Sequence, residues 1–356
     1  MDAPPPPPPP QLGGGRPSFY ASFYTLASKG RLAMVGEMLK HEKIDVNQAR
    51  NNGSTPLYIA SEEGHSAVVE LLLKHEKINV NQANEDGVTP LYFASEEGHL
   101  AVVELLLKHE KIDVNQAEED GCTPLYIASQ EGHSAVVELL LKHEKIDVNQ
   151  AKEDGGATPL YIASHEGQLA VVELLLKHEK IDVNQAKDNG VTPLYFASQK
   201  GNFAVVELLL KHEKIDVNQA RDDGSTPLYF ASEEGHLAVV ELLLKHEKID
   251  VNKAEELGCW TPLNIASEEG HLAVVELLLK HEKIDVNQAN EDGCTPLYSA
   301  SQEGHSAVVE LLLKHEKINV NQARKHGATP LHMASHNGHL AVVKLLLGAG
   351  ANVELT

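Results

Sequence analysis

From Arg50 onward, the order of apolar and polar positions repeats every 34 or 35 residues. The stretch 84–117, NEDGVTPLYFASEEGHLAVVELLLKHEKIDVNQA, is one such period. Its Asp86-Gly87 pair reads as a turn, because Gly accepts the positive φ that many turns require. Thr89-Pro90 then opens a helix: Thr is a good N-cap, and Pro at the first helical position gives up an N–H that would be unpaired anyway. The pattern predicts a two-turn helix over 90–97, stopped by Gly98 in the left-handed cap conformation. A second helix follows over 99–109, where Leu100, Val103, Leu106 and Leu107 fall at helical spacing with Ala101 and Val102 beside them. That apolar surface is too wide for one facing helix and suits a helix sandwiched between two neighbours. Ile112-Asp113-Val114-Asn115 alternates apolar and polar and reads as a short extended arm leading into the next turn.

The threonine of the T-P-L triplet recurs at Thr55, Thr89, Thr123, Thr158, Thr192, Thr226, Thr261, Thr295 and Thr329. A fixed period of this size predicts a solenoid, in which each unit buries its apolar face only against its neighbours. The expected organisation is a Pro/Gly-rich tail at 1–18 and an array at 19–356. The array begins with a degenerate cap repeat, 19–49. Nine units follow: 50–83, 84–117, 118–151, 152–186, 187–220, 221–254, 255–289, 290–323 and 324–356. In the cap, Phe19, Tyr20, Phe23 and Tyr24 share one helical face and are expected to close the first interface. The last unit keeps its apolar helix residues Leu340, Val343, Leu346 and Leu347, so its outer face is expected to be underprotected.

The unit resembles the ankyrin repeat, through D-G-x-T-P-L, A-S-x-x-G-H, A-V-V-E-L-L-L and D-V-N, over roughly 19–356. The resemblance implies an all-α ankyrin-repeat solenoid of helix-turn-helix units with short extended hairpin arms, and non-catalytic protein binding. Two departures stand out. The position after T-P-L, usually His in that family, is Tyr58, Tyr92, Tyr126, Tyr161, Tyr195, Tyr229, Asn264 and Tyr298, with His only at His332. The second helix ends on K-H-E-K-I instead of Gly-Ala in all but the last unit. This predicts a wider, Gly-free exit and leaves room for a longer second helix.

Charge sharpens the functional expectation. The formal net charge is −22, which argues against nucleic acid or an anionic membrane as partner. In the ankyrin family, contacts come mainly from two turn positions, the position before Thr, and the two before the inter-helix Gly. Those positions hold 23 acidic residues and two basic ones, Lys200 and Lys325. They include Glu62, Glu63, Glu85, Asp86, Glu96, Glu97, Glu119 and Asp120. Farther along come Asp222, Asp223, Glu233, Glu234, Glu268, Glu269, Glu291 and Asp292, with the single Trp, Trp260, in an irregular turn. Such a concave, turn-tip face would recruit a protein with a Lys/Arg-rich segment, with Trp260 either an apolar anchor or local packing.

Other chemistry finds little support. The twenty histidines repeat at fixed places, and equivalent positions in neighbouring repeats lie too far apart for one zinc ion, whose ligands sit about 2 Å away. No phosphate-cradling loop, nucleophile elbow or supported Cys-His pair occurs; no catalytic residue, cofactor or metal site is expected. Cys122, Cys259 and Cys294 lie beyond disulfide reach in a family-like stack. Reduced thiols, no apolar run long enough for a membrane span and no signal-peptide core predict a cytoplasmic or nuclear protein. The tyrosines suit either a bridge between repeats or an aromatic ladder on the concave face. The arm asparagines, from Asn47 to Asn321, are expected to bond their own turns, at a place resembling the one hydroxylated in other ankyrin proteins. The run Pro4–Pro10 is polyproline II, and serves either as a ligand for a Pro-binding domain or as a solvated, disordered tail. An adaptor that brings partners to an enzyme through this tail, or a mechanical spacer without one specific partner, are the alternative functions.

Overall fold

The structure, a computed structural model, describes residues 19–41 and 44–354, and the side chains from Ser22 onward within that span. The Pro-rich stretch 1–18, and with it the expected tail and the run Pro4–Pro10, lies outside the described residues, as do the side chains of Phe19 and Tyr20. Among the described residues there are twenty α-helices in ten pairs and no strand. The chain divides into two compact units, Met1–Glu119 and Asp120–Thr356. The first holds three pairs, beginning with Phe19–Ser28 and Leu32–Leu39; the second holds seven, ending with Pro330–His336 and Leu340–Gly348. Within each unit, first helices stack on first helices and second on second.

The first helices form where Thr-Pro allows. Each of the nine threonines accepts a bond from the backbone N–H three residues on, and Pro follows at once. Such a cap contributes about 1 kcal/mol. The helix stops at a Gly with φ near the left-handed region, such as Gly98 at 70°. Second helices have no side-chain cap bond, and the reason is tertiary. The residue after the Gly reaches into the preceding repeat instead: His65 Nε2–H donates to the Ser28 carbonyl at 3.0 Å, and His236 to that of Gln199 at 2.9 Å. In the repeat 187–220, Leu194, Ala197, Val205, Val206 and Leu209 are all at most 2% exposed, so a helix pair inside a unit is covered from both sides.

Three sequence expectations change. The K-H-E-K-I exit does not lengthen the second helix: it spans Leu100–Leu107, eight residues, whereas the Gly-ended last one spans nine. The His closes the turn, with Ile112 N–H donating to the His109 carbonyl at 3.0 Å and Lys111 N–H to His109 Nδ1 at 3.3 Å. That turn swings Ile112 into the core. The arm alternates as expected, Ile112 and Val114 buried and Asp113 exposed, but its backbone is a turn in which Asn115 N–H donates to Asp113 Oδ1. Finally, the arm asparagines bridge repeats. Asn218 Nδ2 donates to the Lys248 carbonyl at 2.6 Å while its Oδ1 accepts the Asp250 N–H at 2.8 Å. Asn81, Asn149, Asn184 and Asn252 make the same paired rung.

Candidate protein-binding face

At seven places the turn tips of successive repeats are set side by side by a backbone bond. In the first unit, Glu85 N–H donates to the Asn52 carbonyl at 3.0 Å and Glu119 N–H to that of Asp86 at 3.1 Å. In the second, Glu256 N–H donates to the Asp223 carbonyl and Glu291 N–H to that of Gly258, both at 2.7 Å. Within each tip the loop is held by its own polar residue: Asn84 Oδ1 accepts from Asp86 and Val88, and Asn290 Oδ1 from Asp292 and Cys294. Polar side chains of this kind favour turns because they bond their own backbone two residues on. Glu85, Asp86, Glu119, Asp120, Asp222, Glu291 and Asp292 are thereby exposed. Asp223 is half-buried and pairs with Arg221. Burial would raise its carboxyl, but the bonds from Arg221 and Ser225 outweigh it and hold it below the ordinary value.

The second acidic row lies at the ends of the first helices. Glu63, Glu97, Glu234 and Glu269 are exposed, while Glu62, Glu96, Glu233 and Glu268 are half-buried against the stack. Burial, then Glu63 and Glu97, hold Glu62 above the ordinary carboxyl range. Burial, then Glu234 and Glu269, do the same for Glu233, and burial with Glu303 and Glu269 for Glu268. A negative charge at a helix C-terminus also opposes the helix dipole, by a few tenths to about 1 kcal/mol. Nothing in the fold therefore calls for carboxylates at these places. The outer face of the second helices is different. There Glu70–Lys74, Glu104–Lys108, Glu241–Lys245 and Glu276–Lys280 pair at 2.7–2.8 Å, and the charges cancel.

Of the five family contact positions, the one before Thr is mostly closed: Ser54, Cys122, Ala157, Val191, Ser225 and Cys294 are buried. Val88 and Trp260 remain half-buried. Trp260 sits in a loop organised by the buried Glu255, whose carboxylate accepts the N–H groups of Leu257, Gly258 and Trp260 at 2.6–3.1 Å. Its indole lies against Gly258, where a Cβ would come within 2.7 Å of Cδ1. The exposed apolar side chain of that loop is Leu257, 79% exposed. Its only signal in the sequence was an apolar residue in place of the turn Asp.

The aromatic ladder is overturned. All seven tyrosines of the T-P-L row are buried, and three of them meet a Phe of the next repeat: Tyr58 meets Phe93 edge-on at 5.5 Å, Tyr161 meets Phe196 at 5.8 Å and Tyr195 meets Phe230 at 5.0 Å. Asn264, which replaces one of them, is fully buried and satisfied. It completes a capping box with Thr261 and donates to the Cys294 carbonyl at 3.2 Å. Acidity breaks at the repeat 187–220, where His165 stacks on Phe196 at 4.3 Å and Lys200 lies over the same ring at 5.5 Å. It breaks again in the last repeat, at Lys325 and His326. Among the described residues no three His, Cys, Asp or Glu side chains converge as a metal site would require, and no helix is long and apolar enough to cross a membrane.

A family model of ankyrin repeats in three copies matches the chain six times in overlapping windows, at residues 23–118, 109–187, 146–221, 179–255, 213–290 and 263–356. A search of curated proteins returns no match. Ankyrin repeats generally mediate protein–protein interaction and are typically non-catalytic. Helix pairs opened by Thr-Pro, stacked through Tyr, His and Asn bridges and matched from residue 23 to 356, place this chain in the ankyrin-repeat family.

Proposed function

We propose that this chain is a non-catalytic scaffold whose acidic turn tips and helix ends bind a protein through a Lys/Arg-rich segment, in the cytoplasm or nucleus. One observation carries the reading: carboxylates project in register from successive repeats, at helix ends where the dipole opposes them, while charges on the second helices cancel. In the first unit the face comprises Glu62, Glu63, Glu85, Asp86, Glu96, Glu97 and Glu119. In the second it begins at Asp120 and is densest around Asp222, Asp223, Glu233, Glu234, Glu268, Glu269, Glu291 and Asp292, with Trp260 and Leu257 as apolar contacts. An arriving cation would favour the charged form of these half-buried carboxyls, against burial and the neighbouring carboxylates that raise them.

The test is fluorescence anisotropy with a labelled basic peptide against a scrambled acidic one. Binding is expected to weaken roughly tenfold or more between about 50 and 500 mM salt. Glu233→Lys/Glu234→Lys should weaken it further at low salt. Affinity indifferent to both salt and charge reversal would refute the reading, and the absence of any specific partner in a pull-down would favour the spacer alternative.

A further inference from the structure

The second helix of each repeat carries two apolar ridges, and the two ends of the chain show which way each faces. Inside the second unit both are covered: Val205 and Val206, at the Val102 and Val103 positions, are 2% and 0% exposed, and Leu209, at the Leu106 position, 0%. In the first pair, Val35, at the Val103 position, is 0% exposed, but Met34, at the Val102 position, is 59% exposed. Met38, at the Leu106 position, is also no longer fully buried. In the last pair the pattern inverts. Val342 and Leu346 are 0% exposed, whereas Leu347 is 46% and Val343 half-buried. Val353, at the position of the 1% exposed Val114, is 68% exposed. An open depression of about 440 Å³ lies there, lined by Leu331, Ser335, Val343, Leu347 and Val353 among others. The leading end therefore offers the ridge that faces a preceding repeat, and the trailing end the ridge that faces a following one.

We propose that two copies of this chain stack end to end, the Met34–Met38 ridge of one seating on Leu331, Val343, Leu347 and Val353 of the other. Continuity with the junctions inside each unit argues for a second copy, since these two ridges already meet there repeatedly. Two further features fit. At internal junctions the side chain after the inter-helix Gly covers the preceding Gly: His236 lies within 2.8 Å of a Cβ built on Gly201, and His339 within 2.6 Å of one on Gly304. Over Gly338 nothing lies within 4 Å, and the residue at the covering position of the first pair is the exposed donor Arg31.

The second feature is charge. Glu70 and Leu105 line one groove between neighbouring second helices, and Glu310 and Leu345 line another. At the Glu70 position only the last repeat has Lys, Lys344; at the Leu105 position only the first has Glu, Glu37. Stacking the ends brings Lys344 opposite Glu37, which in one copy pairs with its own Lys40 at 2.6 Å. Two methionines on the mating ridge suit an interface that must adapt to its partner. Because the two surfaces differ, the contact is heterologous and propagates into open chains unless it closes into a ring.

Sedimentation velocity on the full chain tests this. Wild-type weight-average mass is expected to climb without a dimer plateau from about 1 to 100 µM. Met34→Glu alone and Leu347→Glu alone, each at an exposed position and checked for folding by circular dichroism, should remain monomeric. An equal mixture of the two has one intact leading and one intact trailing face to pair, and should give a dimer and nothing larger. A wild-type chain that is monomeric throughout would overturn the proposal. So would self-association of Met34→Glu as strong as the wild type's, which would mean contact between two trailing ends.

Discussion

At the scale of single residues, the decisive side chains are those that leave their own repeat. Asn218 satisfies a carbonyl and an N–H on either side of Ile249, in the next repeat. Replacing it by Ala leaves both backbone groups without that partner, which should cost about 1–2 kcal/mol. Urea unfolding should register the loss, with faster amide exchange at Asp250. The half-buried glutamates act in the opposite sense. Burial and neighbouring carboxylates raise Glu233 and Glu268, so the folded state favours their protonated forms. Their contribution to stability is fully present below the unfolded carboxyl pKa and is lost as pH rises through the folded value. Glu233→Gln or Glu268→Gln should therefore stabilise the chain at neutral pH, by on the order of a few tenths of a kcal/mol after solvent screening. Thermal melts should show that gain vanishing below about pH 4.

At the scale of the helix pair, nearly the same sequence is held to different degrees by what surrounds it. Repeat 187–220 has its Val205, Val206 and Leu209 at most 2% exposed, whereas the last repeat leaves Leu340, Leu347 and Val353 open. Stability in an array of this kind is roughly a sum of repeat and junction contributions, and in this structure the last pair is covered on one side only. Hydrogen exchange at low protein concentration should therefore find Pro330–His336 and Leu340–Gly348 the fastest among the T-P-L repeats. Equal protection for the last pair and for repeat 187–220 in a confirmed monomer would contradict this. Raising the concentration should slow exchange at the last pair first if the ends stack.

At the scale of the whole molecule, charge is distributed by position within the repeat. Turn tips and helix ends are acidic, whereas the outer faces of the second helices carry Glu–Lys pairs that cancel. Residues 324–356 hold three basic and one acidic residue, so the first 323 carry 27 basic and 51 acidic, a formal −24 against +2. The acidic side chains were legible as candidate contacts because the register of the repeat alone assigns them to tips and helix ends. The position before Thr misled for the same reason: the register names it a contact, but in most repeats the loop folds its side chain inward. Leu257 was legible as a deviation and not as an exposed apolar group, since only the Glu255-centred loop turns it out to solvent.

The sequence by itself determined the helix pairs, their starts at Thr-Pro, their stops at Gly and the number of repeats, because those signals act over a few residues and recur. It also determined the alternation that buries Ile112 and Val114. Tertiary structure alone decided where the bridging side chains go. Asn218, His236 and Tyr195 all bond or pack onto residues about one repeat away, and no local pattern states that distance. It decided as well that the tyrosines face inward, since a ring at the third helical position can be covered only by a neighbouring repeat. And it decided which of two chemically similar apolar ridges is left open, Met34 in the first pair and Leu347 in the last, because that depends on which side a packed repeat covers.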